Sequence, residues 1–380
     1  MRQSPRNFYH YFANKLREQG LVPSELDPCL FIGDKVIGVL YVDDLLLYSR
    51  DDAEIDGLLA RLREAGVAIR REGSAEGFLG VTVERTMTPA GPKITLSQAG
   101  LTKRIIEALG LCSKFSTSIS TPAEKAPLPK DADGAPATET FNYAAVVGML
   151  LYLCGHSRPD IAFAVHQCAR YTFCPTRKHE LALIRIGRYL KGTMDKGLIM
   201  TPSKEPRIDC YPDADFAGLY GYEDVQDPHC ARSRAGYVIL AFGCPVLWVS
   251  KMMTEIALST MEAEYCALSM ACKDLFPVAD RIRALSKAVG LGDDFGSRLY
   301  IKVHEDNVGA LTLAGLELRR ITPRSKHYAI KYHWFREKVA DPSNRVTLHK
   351  VESKYQLRDI FTKGLTQVDF VRLRCLLMGW

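Results

Sequence analysis

Adjacent carboxylates at Asp43 and Asp44 are the first residues in this chain able to do chemistry. They close the run Tyr41-Val42-Asp43-Asp44, which lies between the apolar segments 36–40 and 45–48. Two short strands meeting at an acidic turn predict a hairpin that lifts the carboxylates out of a sheet. Such a pair suits a metal-dependent phosphoryl-transfer site, because Mg²⁺ takes hard oxygen ligands. A second set lies far downstream, at Asp213, Glu264, Asp306 and Asp359. Four convergent carboxylates could hold two divalent ions about 3.5–4 Å apart, one activating water and the other stabilising the leaving oxygen of a phosphodiester. Taken singly, any of the 44 acids reads more simply as a solvated surface carboxylate.

The elements that must position these residues follow from periodicity and breakers. Phe8, Tyr9, Phe12 and Leu16 are spaced for one amphipathic helix within 1–30, closed by Gly20 and Pro23. After the hairpin come a helix over 51–63, strands over 78–85 and 93–96, and a helix from a Ser97 cap to Leu109. Four prolines and five alanines make 121–140 a linker or extended arm. A helical region spans 142–191, broken and restarted at Arg158-Pro159-Asp160. Strands over 208–211, 236–241 and 246–251 precede a long helix over 259–289. A strand over 299–304, a short helix from Asn307, a basic aromatic helix over 326–339, a strand over 346–351 and a helix from about Tyr355 complete an α/β pattern with a mixed sheet. Asp213 then ends the first strand of this half, Glu264 lies on the helix after the third, Asp306 ends the fourth, and Asp359 lies in the last helix.

The net charge of +6 is mild but unevenly spread. Residues 166–196 carry seven Lys/Arg against two acids, and 319–338 carry seven against one. Lys178, Arg185 and Arg188 on one helix, and Lys326, Lys331 and Arg336 on another, are candidate contacts to a phosphate backbone. Solvated helix faces are the plainer alternative. Tyr328, Tyr332, Trp334 and Phe335 interleave with the second set, and Trp334 and Phe335 also read as core anchors. Eleven cysteines without a C-x-x-C pair argue against a disulfide framework and for a reducing compartment. No signal-peptide pattern opens the chain, and the longest apolar stretch, 144–154, is too short for a bilayer core of about 30 Å. The expectation is a soluble intracellular protein, cytoplasmic or nuclear, with no membrane partner and an oligomeric state the sequence leaves open.

Several motifs in series resemble one family. Gln3-Ser4-Pro5-Arg6, Tyr41-Val42-Asp43-Asp44, Phe78-Leu79-Gly80, Arg158-Pro159-Asp160-Ile161-Ala162 and Tyr189-Leu190-Lys191-Gly192-Thr193 resemble the reverse transcriptase of copia-type LTR retrotransposons. Asp213-Ala214-Asp215-Phe216-Ala217-Gly218, Ser259-Thr260-Met261-Glu262-Ala263-Glu264-Tyr265, Glu305-Asp306-Asn307, Ser325-Lys326-His327 and Gln356-Leu357-Arg358-Asp359-Ile360-Phe361-Thr362-Lys363 resemble the ribonuclease H domain that follows it.

The resemblance implies an α+β and α/β architecture. Residues 1–120 would be a partial palm and thumb, 121–205 a linker and helical connecting region, and 206–380 a ribonuclease H-like mixed-sheet domain. It implies a Pol polyprotein piece that cleaves RNA in RNA–DNA hybrids with Mg²⁺, or Mn²⁺ in its place, held by Asp213, Glu264, Asp306 and Asp359. Asp215 and Glu262 compete with Asp213 and Glu264 for those roles. Asp43 and Asp44 would be a polymerase remnant, since Met1 falls at an interior position of the family and the polymerase half is expected to be incomplete. The alternatives are a non-catalytic nucleic-acid-binding remnant, or a fragment of a longer active reverse transcriptase. Two residues depart from the pattern. Pro212 is awkward in a central strand, and Arg358 stands where the family has a small residue, placed to screen the acids or pair with them.

Overall fold

The computed structural model describes residues 4–72, 77–89, 91–113, 116–291, 293–316, 333–351 and 357–380. In chain order the first elements are α1 (Ser4–Glu18), β1 (Val22–Pro23), β2 (Leu30–Ile32), β3 (Val36–Tyr41), β4 (Asp44–Ser49), α2 (Asp52–Glu64), β5 (Thr82–Thr88), β6 (Gly91–Ser97) and α3 (Ala99–Ala108). There follow α4 (Tyr143–His156), α5 (Ala162–Ala169), α6 (Arg177–Lys191), β7 (Leu198–Met200), β8 (Arg207–Asp215), β9 (Arg234–Ala241), β10 (Cys244–Met252) and α7 (Thr260–Ala288). The remainder is α8 (Asp293–Arg298), β11 (Tyr300–Glu305), α9 (Val308–Ala314), α10 (Trp334–Ala340), β12 (Val346–Lys350), α11 (Asp359–Thr362) and α12 (Gln367–Met378). The fold is mixed α and β, in two compact units: 1–79 with 276–299, and 80–275 with 300–380.

The first unit carries the antiparallel sheet β1-β2-β3-β4. One face is sealed by Phe12, Leu16, Phe31, Leu40, Leu58 and Leu62, so α1 and α2 bury their apolar stripes. The expected helix ends at Glu18, and Gly20 turns the chain at φ 83. The β3–β4 register runs from Val36 opposite Ser49 to Tyr41 opposite Asp44, leaving Val42 and Asp43 as a two-residue turn. Val42 sits at φ 54, a left-handed conformation that is costly for a β-branched residue.

The second unit holds two sheets. One is β5-β6-β7; the other is five-stranded, in the order β10-β9-β8-β11-β12. Hairpin pairing makes β8, β9 and β10 antiparallel, whereas β11 runs parallel to both β8 and β12. Parallel neighbours need long crossovers, supplied here by the segments containing α7 and α9–α10. One apolar core cluster runs from Leu101 through Ile161, Tyr189 and Val238 to Phe361 and Met378.

Three expectations change in detail. The strand expected over 78–85 is preceded by a turn at Phe78–Gly80, where Leu79 and Gly80 adopt positive φ; β5 starts at Thr82. The expected caps shift as well: Ser97 ends β6 and Gln98 precedes α3. The segment 121–140 is a pinned arm. Leu128 N–H donates to Gln167 at 2.7 Å, Glu139 N–H to Glu180 at 3.1 Å, and Thr176 hydroxyl to Asp131 at 2.6 Å. The helix expected from Tyr355 begins outside the described residues, and within them α11 starts at Asp359.

α11 crosses β9 at Gly236. A Cβ added there would lie 2.6 Å from Thr362 Cγ2 and 2.8 Å from Phe361 Cβ. Gly236→Ala is expected to lower stability by about 1–3 kcal/mol, as overpacking does. A urea melt matching the wild type would show that α11 can yield.

Candidate functional site

The carboxyl ends of β8 and β11 bring the downstream acids to one place, the end of a parallel pair where α/β sheets bind ligands. Asp213, 4% exposed, lies near the end of β8; its Oδ2 accepts from the Thr362 hydroxyl of α11. Ala214 N–H donates to Glu264 Oε2 at 2.9 Å, tying α7 to β8. Glu305, the last residue of β11, is fully buried, and Asp306 follows it at the rim. Glu264, Glu305 and Asp306 each place a carboxylate oxygen within 4.8 Å of the others. Asp359 opens α11, and Lys363 holds its carboxylate at 3.0 Å.

Glu305 was not singled out by the sequence reading. The signal was there: β11 alternates buried and half-buried residues, and Glu305 shares the buried phase with Ile301 and Val303. A charge at an apolar phase needs a partner. Its Oε1 accepts from Asn307 N–H at 3.0 Å, and its Oε2 is buried without a hydrogen-bond partner among the described residues.

That charge is met by Arg358. The guanidinium is 1% exposed, with Nε 3.1 Å from Asp213 Oδ1. Nη1 lies 3.3 Å from Glu305 Oε1 and 3.6 Å from Glu264 Oε2, and Nη2 pairs with Asp306. Nη1 also donates to the Pro212 carbonyl. One cation thus touches four acids from three elements.

Pro212 makes room for it. Phe242 N–H donates to the Arg207 carbonyl at 2.9 Å, so odd-numbered residues of β8 turn their polar groups toward β9 and even-numbered ones away. Ala214 and the Pro212 carbonyl follow that phase. On the far side β11 pairs with β8 only as far as Val303 opposite Cys210. The next rung would need an N–H at Pro212, which proline lacks. Proline is therefore compatible with this central strand: it loses no bond to β9 and ends the β8–β11 ladder beside the acids.

The competing acids have other settings. Glu262 accepts from Leu258 N–H at 2.9 Å and its own N–H donates to Ser259 Oγ at 3.2 Å, so it works at the start of α7. Asp215 lies outside the group around Arg358 and lines a cavity with Arg234 and Lys363. Asp43 and Asp44 are exposed on their hairpin and join no set of three potential ligands among the described residues. Of the basic residues, Lys178 is exposed. Arg185 bonds Thr121 at 2.9 Å and lies 3.4 Å from Glu124, while Arg188 bonds the Thr117 carbonyl at 2.8 Å. Both brace the 117–124 segment. Arg336, expected on a nucleic-acid face, is instead buried and donates to the Leu316 carbonyl at 2.6 Å, out of reach of a phosphate backbone. Phe335 is fully buried against Tyr265, and Trp334 Nε1 bonds Ser269, which makes both core anchors. Lys326 and Lys331 lie outside the described residues.

Burial sets the electrostatics. It raises the Glu264 carboxyl above the usual carboxylate range, reinforced by Asp213. Glu305 rises for the same first reason, with Arg358 pulling it back. Asp359 is raised by burial and by Asp213, with Lys363 opposing. Burial works against the Arg358 charge, but Asp213, Glu305 and Glu264 outweigh it and raise its pKa.

Burial, then Asp213, pushes Asp215 up to about 6. An acid whose folded pKa lies above its unfolded value of about 3.9 stabilises the fold only while protonated, and that contribution is lost as pH rises toward 6. Asp215→Asn is therefore expected to raise the melting temperature more at pH 8 than at pH 5. An equal shift at both would contradict the assignment.

The donor set of Asp213, Glu264, Asp306 and Asp359 fits a hard divalent cation, since all four are carboxylates.

A mixed α/β fold that gathers acids at strand ends defines a class, proteins with a carboxylate cluster suited to a divalent cation. The chain belongs to the copia-type retrovirus-related Pol polyproteins of transposons. It is 30% identical over 384 residues to the retrovirus-related Pol polyprotein from transposon TNT 1-94 of Nicotiana tabacum, covering 97% of this chain and 27% of the relative. The Pol polyproteins from transposons RE1 and RE2 of Arabidopsis thaliana are each 30% identical, again over 97% of this chain and 24% of their own length. The chain thus spans about a quarter of the length of these relatives. No protein-family model matches it, and no solved structure does. Among the described residues no helix is long and apolar enough to cross a membrane.

Proposed function

We propose that residues 206–380 form a ribonuclease H-type domain that hydrolyses the RNA strand of RNA–DNA hybrids. Residues 1–120 would then be part of a reverse transcriptase palm and thumb, and 121–205 its connecting region. The observation that carries this reading is the convergence of Asp213, Glu264, Glu305 and Asp306 on one point at the ends of β8 and β11, with Asp359 on the neighbouring α11.

Asp213, Glu264, Asp306 and Asp359 would hold Mg²⁺ or Mn²⁺. When bound, the ions would ease deprotonation of a water and stabilise charge on the leaving oxygen. Water oxygen bonds to phosphorus, the P–O3′ bond breaks, and the 3′ oxygen leaves with a proton, giving 3′-hydroxyl and 5′-phosphate ends. The chain's own residues set the frame. The Ala214 N–H fixes Glu264, and the Thr362 hydroxyl fixes Asp213, so neither carboxylate has to be ordered when substrate arrives. Lys178, which is exposed, would be available to a phosphate of the bound hybrid.

Incubating the purified chain with hybrids labelled on either strand, in Mg²⁺ or Mn²⁺, tests this. The expected products are cut RNA with 3′-hydroxyl ends and intact DNA. Arg358 favours a second reading, a domain that binds nucleic acid without turnover. Salt-sensitive hybrid binding with no cleavage at any metal concentration would decide for it.

A further inference from the structure

We propose that Arg358 is a resident cation of the carboxylate cluster, which a divalent ion must displace before it can bind. This deepens the nuclease reading and rests on it. The guanidinium stands among the oxygens that would ligate a metal: Nε on Asp213, Nη1 on Glu305 and Glu264, and Nη2 on Asp306. Its planar fork reaches four carboxylates at once through three nitrogens set apart in a rigid geometry. A divalent ion on these oxygens would lie within a few ångströms of the guanidinium, and the two cations repel at that range in a buried site.

The arrangement is anchored from below. Glu305 is fully buried, and Arg358 is the only cation within ion-pairing distance of it among the described residues. The Pro212 carbonyl gives the guanidinium a further, uncharged acceptor. Displacement is feasible in one direction, since Asp306 is the most exposed of the four paired acids and its side of the fork faces the rim. The chain therefore holds its hydrolytic site partly compensated by one resident cation, with metal demand set by how readily Arg358 leaves.

Removing Arg358 alone strands the Glu305 charge, and that variant can fail to fold without metal. The double variant Arg358→Ala with Glu305→Gln removes both buried charges and keeps Asp213, Glu264, Asp306 and Asp359. Mn²⁺ affinity, read from the EPR signal of free Mn²⁺, is compared for the wild type, Arg358→Ala and the double variant. The double variant is expected to bind at least ~10-fold more tightly than the wild type, and its half-maximal Mg²⁺ for hybrid cleavage is expected to fall in parallel. Equal or weaker Mn²⁺ binding by both variants would overturn the proposal. Tighter binding with no cleavage by any form would uphold the resident cation and overturn the nuclease reading. Cleavage by all forms at one shared Mg²⁺ requirement would do the reverse.

Discussion

Asp213→Asn is expected to reduce hybrid cleavage by about two to three orders of magnitude, the ~3–4 kcal/mol that losing one charged group from such a site costs. Asp213 is joined to more of the site than its neighbours are. Its carboxylate meets Arg358 at 3.1 Å and accepts from Thr362, and its charge raises the carboxyls of Glu264, Asp215 and Asp359. The isosteric amide keeps the shape of the strand end and removes the charge. Circular dichroism should be unchanged while single-turnover cleavage collapses. A variant that retains more than about a tenth of wild-type cleavage would remove Asp213 from the hydrolytic role.

Arg158→Met should produce the largest loss of stability, about 3–5 kcal/mol, because it leaves a buried carboxylate unpaired. Arg158 and Asp160 are each 1% exposed and form a two-bond fork at 2.9 and 2.8 Å. The same guanidinium donates to the Thr193 carbonyl at 3.1 Å and its hydroxyl at 2.8 Å, and the Tyr189 hydroxyl donates to Asp160 at 2.6 Å. Arg158→Lys should recover only part of the loss, since an ammonium cannot make the fork. Adding Asp160→Asn to Arg158→Met should restore more, because the stranded charge is then gone. Urea melts measure all three, and a loss below about 1 kcal/mol for Arg158→Met would show that water or another cation reaches Asp160.

That network explains two of the motifs that marked the chain. Arg158-Pro159-Asp160 and Tyr189-Leu190-Lys191-Gly192-Thr193 look unconnected in sequence, yet their polar residues bond one another inside the core. The hairpin at Asp43 and Asp44 was legible because alternation and a two-residue turn are local signals. Strands β8 to β10 and helix α7 were legible for the same reason, to within two or three residues at most ends.

What was not legible depends on long-range geometry. Arg185 and Arg188 look like a basic helix face, but only the folded arm over 117–124 shows that they hold it. Arg336 reads as surface charge until the Leu316 carbonyl is brought to it. Pro212 looked disruptive because its strand is central; its harmlessness depends on which way its carbonyl points. Asp213 and Glu264 were nominated from strand and helix positions, with the family resemblance favouring Glu264 over Glu262, whereas Glu305 required the buried phase of β11 to be taken as seriously for an acid as for an isoleucine.

The central claim is that the acids gathered around Arg358 are a hydrolytic site. The most direct measurement is single-turnover cleavage of a hybrid labelled on its RNA strand, by wild type and Asp306→Asn, in saturating Mg²⁺ and then Mn²⁺. The wild type should cut the RNA and leave the DNA whole, and the variant should bind the hybrid equally well without cutting it. No cleavage by the wild type in either metal, or equal cleavage by both proteins, would contradict the claim.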